Sequence, residues 1–471
     1  MGGLTIGGNG NGVVVVEAEL QAAIHRLGIA AAELGMQRTV LDGQLAEWRL
    51  AGLRSSPPGV AHAVSSMESA RDLLGAAQQR TSALVAALRF AAVSYAAAET
   101  LATAAVTFAK EAEAWTLGVA ARVFGGPMLL GLGADLGLLC LVTRKSPADL
   151  AGIAGGLVMQ HPGVITSPEF VGGVGTVVDN MDQFEDGLLG MPPGMSELLG
   201  PHGLGLTGPA TAAASVVAAA SVFGLFRETP VRVRKSEVVD HASPPITLED
   251  RMDLIPSATK ESPAQVRIIR YHEAHGPDRF DVFFGGTASF DPHATTQPFD
   301  LTSDVTGVAH QDPGAYRAAV EAMRQAGVTS HTPIVVSGYS EGGLIASLVA
   351  SSGHYDVKGV LTMGSPSGQV PIADSIPVLT VRHTDDLVPA TGGFDANTHE
   401  VLVQRRAFEP GDAIPTDKPV PAHQRDPYLQ TLRMADASND PRLVAAMDRL
   451  NNFGAGATSA DSTLWVATRE Q

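Results

Sequence analysis

One cysteine, Cys140, stands in 471 residues, so no disulfide can form within the chain and bridges say nothing of its redox compartment. It sits in the apolar run Leu136-Gly137-Leu138-Leu139-Cys140-Leu141-Val142, the setting of a small buried side chain rather than of a reactive thiol. Basic residues are scarce. Lys and Arg number 32 against 49 Asp and Glu, a formal net charge of −17, and no cluster of them is present to neutralise phosphates. A nucleic-acid partner is therefore not expected, nor simple electrostatic docking on an anionic membrane. Charged residues are only 17% of the chain, but with 45% hydrophobic residues the composition excludes a disordered polymer. Residues 1–12 offer neither a basic n-region nor a sustained apolar h-region, so a conventional secretory signal is not expected there. Metal-ligand spacings, a P-loop and a dinucleotide fingerprint are also missing, and no cofactor is expected.

What is present divides into three regions. Over residues 1–115, Leu20, Ile24, Leu27, Ala31, Leu34, Leu41, Leu45 and Trp48 follow spacings of three and four, broken at Arg38. A second seam runs through Val60, Val64, Met67, Leu74, Thr81, Val85, Leu88, Ala92 and Tyr95, with Arg71 and Gln78 as polar lapses. Ser55-Ser56-Pro57-Pro58-Gly59 must interrupt the helix between them. A short link makes the helices antiparallel neighbours, so an all-α helical hairpin is expected. Residues 116–230 are Gly-rich and apolar, cut by prolines into a helical connecting region. Its uncharged stretch Gly203–Phe226 is long enough to cross a bilayer, but it is built on Ala, Gly and Thr; a buried core helix is expected, with membrane contact left open. From residue 231 to 471, short β-rich runs alternate with helical ones. Gln265–Tyr271, Phe280–Phe284, Pro333–Ser337, Val357–Met363 and Val378–Arg382 read as strands, and Pro313–Ala326 and Gly342–Ser351 as helices. That alternation predicts a mostly parallel sheet with helices on both faces.

The chemistry concentrates in the third region. Gly338-Tyr339-Ser340-Glu341-Gly342 follows an apolar strand and opens a helix, the placement that exposes a serine hydroxyl on a tight turn and aims helix N–H groups at a developing oxyanion. Ser340 is thus the expected nucleophile. An acid and then a histidine should follow in chain order. Asp385 and Asp386 both lie just past the Val378–Arg382 strand, and adjacent side chains point in different directions. For the base, His423 lies in the Pro-rich loop Lys418–Tyr428 before a helix. His383 is too close to the acid to bridge it to the serine, His399 opens a strand, and His331 and His354 read as surface residues. An oxyanion hole needs a second donor beside the Glu341 backbone N–H. Thr287, in Gly285-Gly286-Thr287 at the end of an earlier strand, is the candidate.

Residues 265–430 resemble the fungal-type (class 3) lipases of the α/β-hydrolase superfamily. Gly286-Thr287 is similar to that family's oxyanion pair, and Asp300-Leu301 to its Asp-Leu. Gly338–Gly343 resembles the nucleophile elbow, Gly364-Ser365-Pro366 the Gly-Ser-Pro after the next strand, and Asp386-Leu387-Val388-Pro389 the Asp-x-Val-Pro acid segment. The resemblance implies an α/β-hydrolase fold, a triad of Ser340, Asp386 and His423, and the hydrolysis of lipid or acyl esters. The chain departs from the family at Gly285, where an arginine is usual, and at Tyr339 and Glu341, where the elbow usually carries His and Leu. No lid is recognisable. The hairpin resembles the small proteins exported by actinobacterial type VII secretion. Trp48 precedes Gly52 by four where that family has two, and Tyr95-Ala96-Ala97-Ala98-Glu99 is similar to its Tyr-x-x-x-Asp/Glu signal. This implies a secreted or envelope enzyme with a helical secretion partner or chaperone; a cytoplasmic location is the alternative. Two other readings stay open: an acyltransferase on the same triad, and an inactive helical interaction protein.

Overall fold

The computed structural model describes residues 4–7, 11–50, 62–86, 162–189, 209–221 and, apart from short gaps, 224–470, with isolated positions 89, 111, 113 and 114. The Ser55–Gly59 link, Gly52, Tyr95–Glu99, Cys140 and most of residues 116–230 lie outside the described residues. Two compact units are present. One is Gly12–Phe108; the other joins Met1–Asn11 to Ala109–Gln471.

In the first unit, the Asn11–Leu50 helix pairs with a helix over residues 62–86. Ile24, Ala31 and Leu45 on one and Val64 and Val85 on the other are buried, all at seam positions. The pairing is antiparallel: Gln78 lies over Gly35, Arg38 over Gly75, Arg71 is 3.8 Å from Asp42, and Arg49 donates to Glu68 at 2.9 Å. Two of the polar lapses, Arg38 and Gln78, thus each reach across to a glycine of the facing helix, which leaves room for their length.

The second unit is built on a nine-stranded sheet. Its strands are β1 (Thr5–Gly7), β2 (Val231–Val239), β3 (Val266–His272), β4 (Arg279–Phe284), β5 (Pro333–Tyr339), β6 (Asp356–Met363), β7 (Val378–His383), β8 (Val401–Arg405) and β9 (Ser459–Arg469), in the spatial order β1-β8-β7-β6-β5-β4-β3-β9-β2. From β4 to β8 every neighbour is parallel, as strand–helix alternation requires. The flanks add a mixed element to the expected parallel sheet: β1, β2, β3 and β9 pair antiparallel. Only residues 273–278 separate β3 from β4, too few for the crossover a parallel pair needs. The domain boundaries shift too, because Thr5–Gly7 belongs to the sheet and not to the hairpin. β1 is held by β8, by packing of Leu4 and Ile6 on the core, and by an Arg442 guanidinium bond to the Ile6 carbonyl at 3.0 Å.

Strand residues alternate between two cores. Phe280, Val282, Phe284, Ile334 and Val336 face one, with Ala315, Ala318 and Met323 of the Gly314–Ala326 helix and Ile345 and Val349 of the Glu341–Ser351 helix. Phe283, Val335, Leu361 and Val381 face the other, against Leu248 and Met252 of the Leu248–Leu254 helix, Leu432 of Arg425–Asp436 and Leu443 of Pro441–Asn451. Helices thus cover both faces. Of the apolar middle, Pro209–Ser221 is a helix packed on the Leu301–Val308 helix, and Pro168–Asp179 packs by the Leu387–Ala390 turn. No helix among the described residues is long and apolar enough to cross a membrane.

Candidate active site

Ser340 sits between β5 and the Glu341–Ser351 helix at φ 57, ψ −126, a conformation that side-chain-bearing residues rarely adopt. The turn closes so tightly that a Cβ at position 338 would lie 2.0 Å from the Gly342 carbonyl oxygen, and one at 342 would lie 2.1 Å from that of Phe284. That is why both flanking positions are glycine. The Ser340 N–H is anchored on the Met363 carbonyl at 2.8 Å, and the residue is 8% exposed.

His423 comes from a different place. It ends the short 3₁₀ turn Pro421–His423 that leads into the Arg425–Asp436 helix. Its Nε2 is 2.9 Å from Ser340 Oγ and its Nδ1 is 2.7 Å from Asp386 Oδ2. The partners fix the roles: a carboxylate can only accept, so Nδ1 carries the hydrogen and Nε2 accepts from the serine hydroxyl. Asp386 is fully buried at the end of β7, where it caps the Leu387–Ala390 turn; its Oδ1 accepts from the Val388 N–H at 3.0 Å. Of the two aspartates the structure brings Asp386 to the imidazole. Asp385 turns the other way and accepts from the N–H groups of Ala407 at 2.7 Å and Phe408 at 3.0 Å.

Gly286 lies against Ser340, since a Cβ there would be 3.1 Å from Ser340 Cβ and 3.2 Å from the Tyr339 carbonyl oxygen. The Thr287 hydroxyl itself is engaged elsewhere, donating to Asp304 Oδ2 at 2.9 Å. Asp304 is shielded from water, which pushes its pKa up to about 7 against that hydrogen bond. The Glu341 backbone N–H opens the helix beside Ser340, and its side chain is fully buried with neither carboxyl oxygen bonded. Burial, then the charges of Asp304 and Asp300, hold that carboxyl well above the usual carboxylate range. Asp300 caps the Leu301–Val308 helix and forms a two-point pair with Arg469, at 3.0 and 2.9 Å, leaving the threonine to Asp304.

The other histidines weighed from the sequence lie away from Ser340 Oγ. His383 is buried, its Nδ1 2.8 Å from the Ala422 carbonyl and its Nε2 2.7 Å from Thr431 Oγ1. His399 lies 3.1 Å from the Ile376 carbonyl, while His331 and His354 are exposed. Sequence reasoning missed three members of the site. Tyr428 donates to Asp386 Oδ2 at 2.7 Å, Tyr339 stacks on the His423 ring with centroids 5.2 Å apart, and Asp304 receives Thr287. A tyrosine five residues after the expected base, and a second acid one helical turn beyond Asp300, were the available signals.

The arrangement joins a strained hydroxyl, an imidazole poised to take its proton, a buried carboxylate behind it and backbone N–H groups at a helix start. Such a set can perform nucleophilic acyl transfer. No family model, no curated protein and no solved structure matches the chain.

Proposed function

We propose that this chain is a serine hydrolase that cleaves carboxylic esters, with lipid or acyl esters as substrates. The observation that carries the reading is the unbroken relay from Ser340 Oγ through the His423 ring to Asp386, at 2.9 and 2.7 Å. In it, Ser340 attacks the ester carbonyl while His423 Nε2 takes the hydroxyl proton, and Asp386 holds the imidazolium that forms. The N–H groups of Glu341 and Thr287 stabilise the oxyanion. The proton then passes to the leaving alcohol, and water, activated by the same imidazole, releases the acid from Ser340. The lipid side of the proposal rests on the resemblance of residues 265–430 to fungal-type lipases. The same triad would serve an acyltransferase, with an added alcohol replacing water; product analysis with such an acceptor separates the two.

For the hairpin we infer a helical partner, and with it export by a type VII-like route. Ile29, Met36, Val40 and Leu50 stand exposed on the first helix, off the seam, and support a further helix packing there. The decisive experiment for the catalytic reading is labelling with a fluorophosphonate probe. Wild type is expected to label and Ser340→Ala to stay unlabelled; label retained by the variant would overturn the assignment.

A further inference from the structure

The turn that carries His423 has little of its own to fix it. It follows a run of residues 406–420 outside regular structure, and Val420, just before it, sits at φ 44, a left-handed conformation that a β-branched residue adopts only under constraint. Three aromatic rings from three other elements converge on this turn.

From the nucleophile's own elbow, Tyr339 donates its hydroxyl to the His423 carbonyl and lays its ring on the imidazole at 5.2 Å and 15°. From the end of β7, three residues before the acid, His383 holds the preceding carbonyl, that of Ala422, through Nδ1 at 2.8 Å. That contact requires the hydrogen on Nδ1, so Nε2 is the acceptor for the Thr431 hydroxyl, whose oxygen in turn receives Arg405 Nε at 2.6 Å. From the following helix, Tyr428 donates to Asp386 Oδ2 at 2.7 Å, the oxygen that also receives His423 Nδ1, and accepts from the His383 backbone N–H at 3.3 Å. The rings also pack on one another: Tyr428 stacks on His383 at 4.0 Å and stands edge-on to Tyr339 at 5.6 Å and to His423 at 6.2 Å. Gly364, at φ 59, leaves room for them, since a Cβ there would meet the Tyr428 ring at 2.9 Å and His423 Cε1 at 3.1 Å.

We propose that Tyr339, His383 and Tyr428 are the positioning residues of this site, a clamp that fixes the imidazole of His423 over Ser340 and against Asp386. The proposal deepens the hydrolase reading and rests on it. None of the three touches the serine hydroxyl, so none is assigned a chemical step. Two consecutive carbonyls of the turn are gripped from opposite sides, one by the nucleophile's strand and one by the acid's, which ties the three triad members into one mechanical unit. Tyr428 shares the carboxylate with the imidazole, so the two donors together hold Asp386 in one orientation. Burial lowers the His383 pKa to about 4, in keeping with a ring that serves as a neutral donor–acceptor strut. The titratable and charged groups facing the imidazole are Asp386, Tyr339, Tyr428 and His383, with Asp304 across the site and Arg425 beside Tyr339.

The test uses the full chain and p-nitrophenyl butyrate. Tyr339→Phe and Tyr428→Phe keep the rings and remove only the hydroxyls; each is expected to lower kcat about ten- to hundredfold with KM little changed. His383→Asn, whose amide nitrogen can stand in for Nδ1, should keep most of the kcat that His383→Leu loses. The low-field Nδ1 proton of His423, identified by its loss in His423→Gln, reports the clamp without turnover and should shift in Tyr428→Phe. Wild-type kcat in both phenylalanine variants, with that proton unmoved, overturns the clamp. A wild type that shows the proton but takes no fluorophosphonate overturns the hydrolase reading instead.

Discussion

Replacing Glu341 by leucine should stabilise the protein, although the change removes an acidic residue one position from Ser340. The carboxyl is fully buried, neither oxygen has a bonding partner, and its pKa is held well above the usual carboxylate range by burial and by Asp304 and Asp300. A buried polar group left unpaired costs about 1–3 kcal/mol, so an apolar side chain of similar volume recovers roughly that amount. For a unit of roughly 370 residues, an unfolding entropy of about 2.1 cal/mol/K per residue gives about 1.3 °C per kcal/mol, so the melting temperature should rise by about 1 to 4 °C. The pH dependence gives a second, independent sign. An acid whose folded pKa is raised stays protonated in the native state while the unfolded chain ionises. Its contribution is therefore harmless below the ordinary glutamate value and grows more unfavourable as pH rises toward the raised one, by up to about 1.4 kcal/mol per pH unit. Thermal melts of wild type, Glu341→Leu and Glu341→Gln from pH 4.5 to 8 measure both effects. The leucine variant should gain most at high pH, and the glutamine variant should lose the pH slope with a smaller gain, since its amide is still unpaired. A leucine variant that melts at or below wild type throughout, with the slope intact, would refute the reasoning.

Two paired substitutions test the local geometry. Asp386→Asn should lower kcat about 10³- to 10⁴-fold, whereas Asp385→Asn should cost about 1–2 kcal/mol of stability through its two backbone N–H partners and spare kcat; steady-state kinetics beside denaturant titrations separate the outcomes. Gly338→Ala forces a Cβ to 2.0 Å from a backbone carbonyl and should destabilise by about 3 kcal/mol or more. Gly35→Ala meets only the amide end of Gln78, which can swing aside, and should be neutral or gain up to about 1 kcal/mol of helix propensity in a thermal melt followed by circular dichroism.

The candidate triad was legible because each member lies in a short local pattern. Ser340 is framed by glycines that the turn requires, the acid follows a strand, and His423 precedes a helix. The hairpin seams were legible for the same reason. What escaped is non-local. β9 inserts between β3 and β2, and β1 reaches β8 from almost four hundred residues away, pairings that periodicity within a segment does not encode. Charge misleads in the same way: Arg469 is fully buried because Asp300 and Glu228 meet it from distant parts of the chain. Tyr339 stood out in the sequence only as a departure from the elbow pattern, and Tyr428 only as the end of the His423 loop; the fold sets both beside one imidazole. Asp300 matched a family motif by sequence, yet it is Asp304, one turn on, that faces Thr287.

Because Thr5–Gly7 is a strand of the sheet, the helical pair is spliced into the chain of the sheet unit rather than preceding it. Trimming the chain from the N-terminal side to isolate that unit would strip away an edge strand along with the helices; cutting out an internal segment would not.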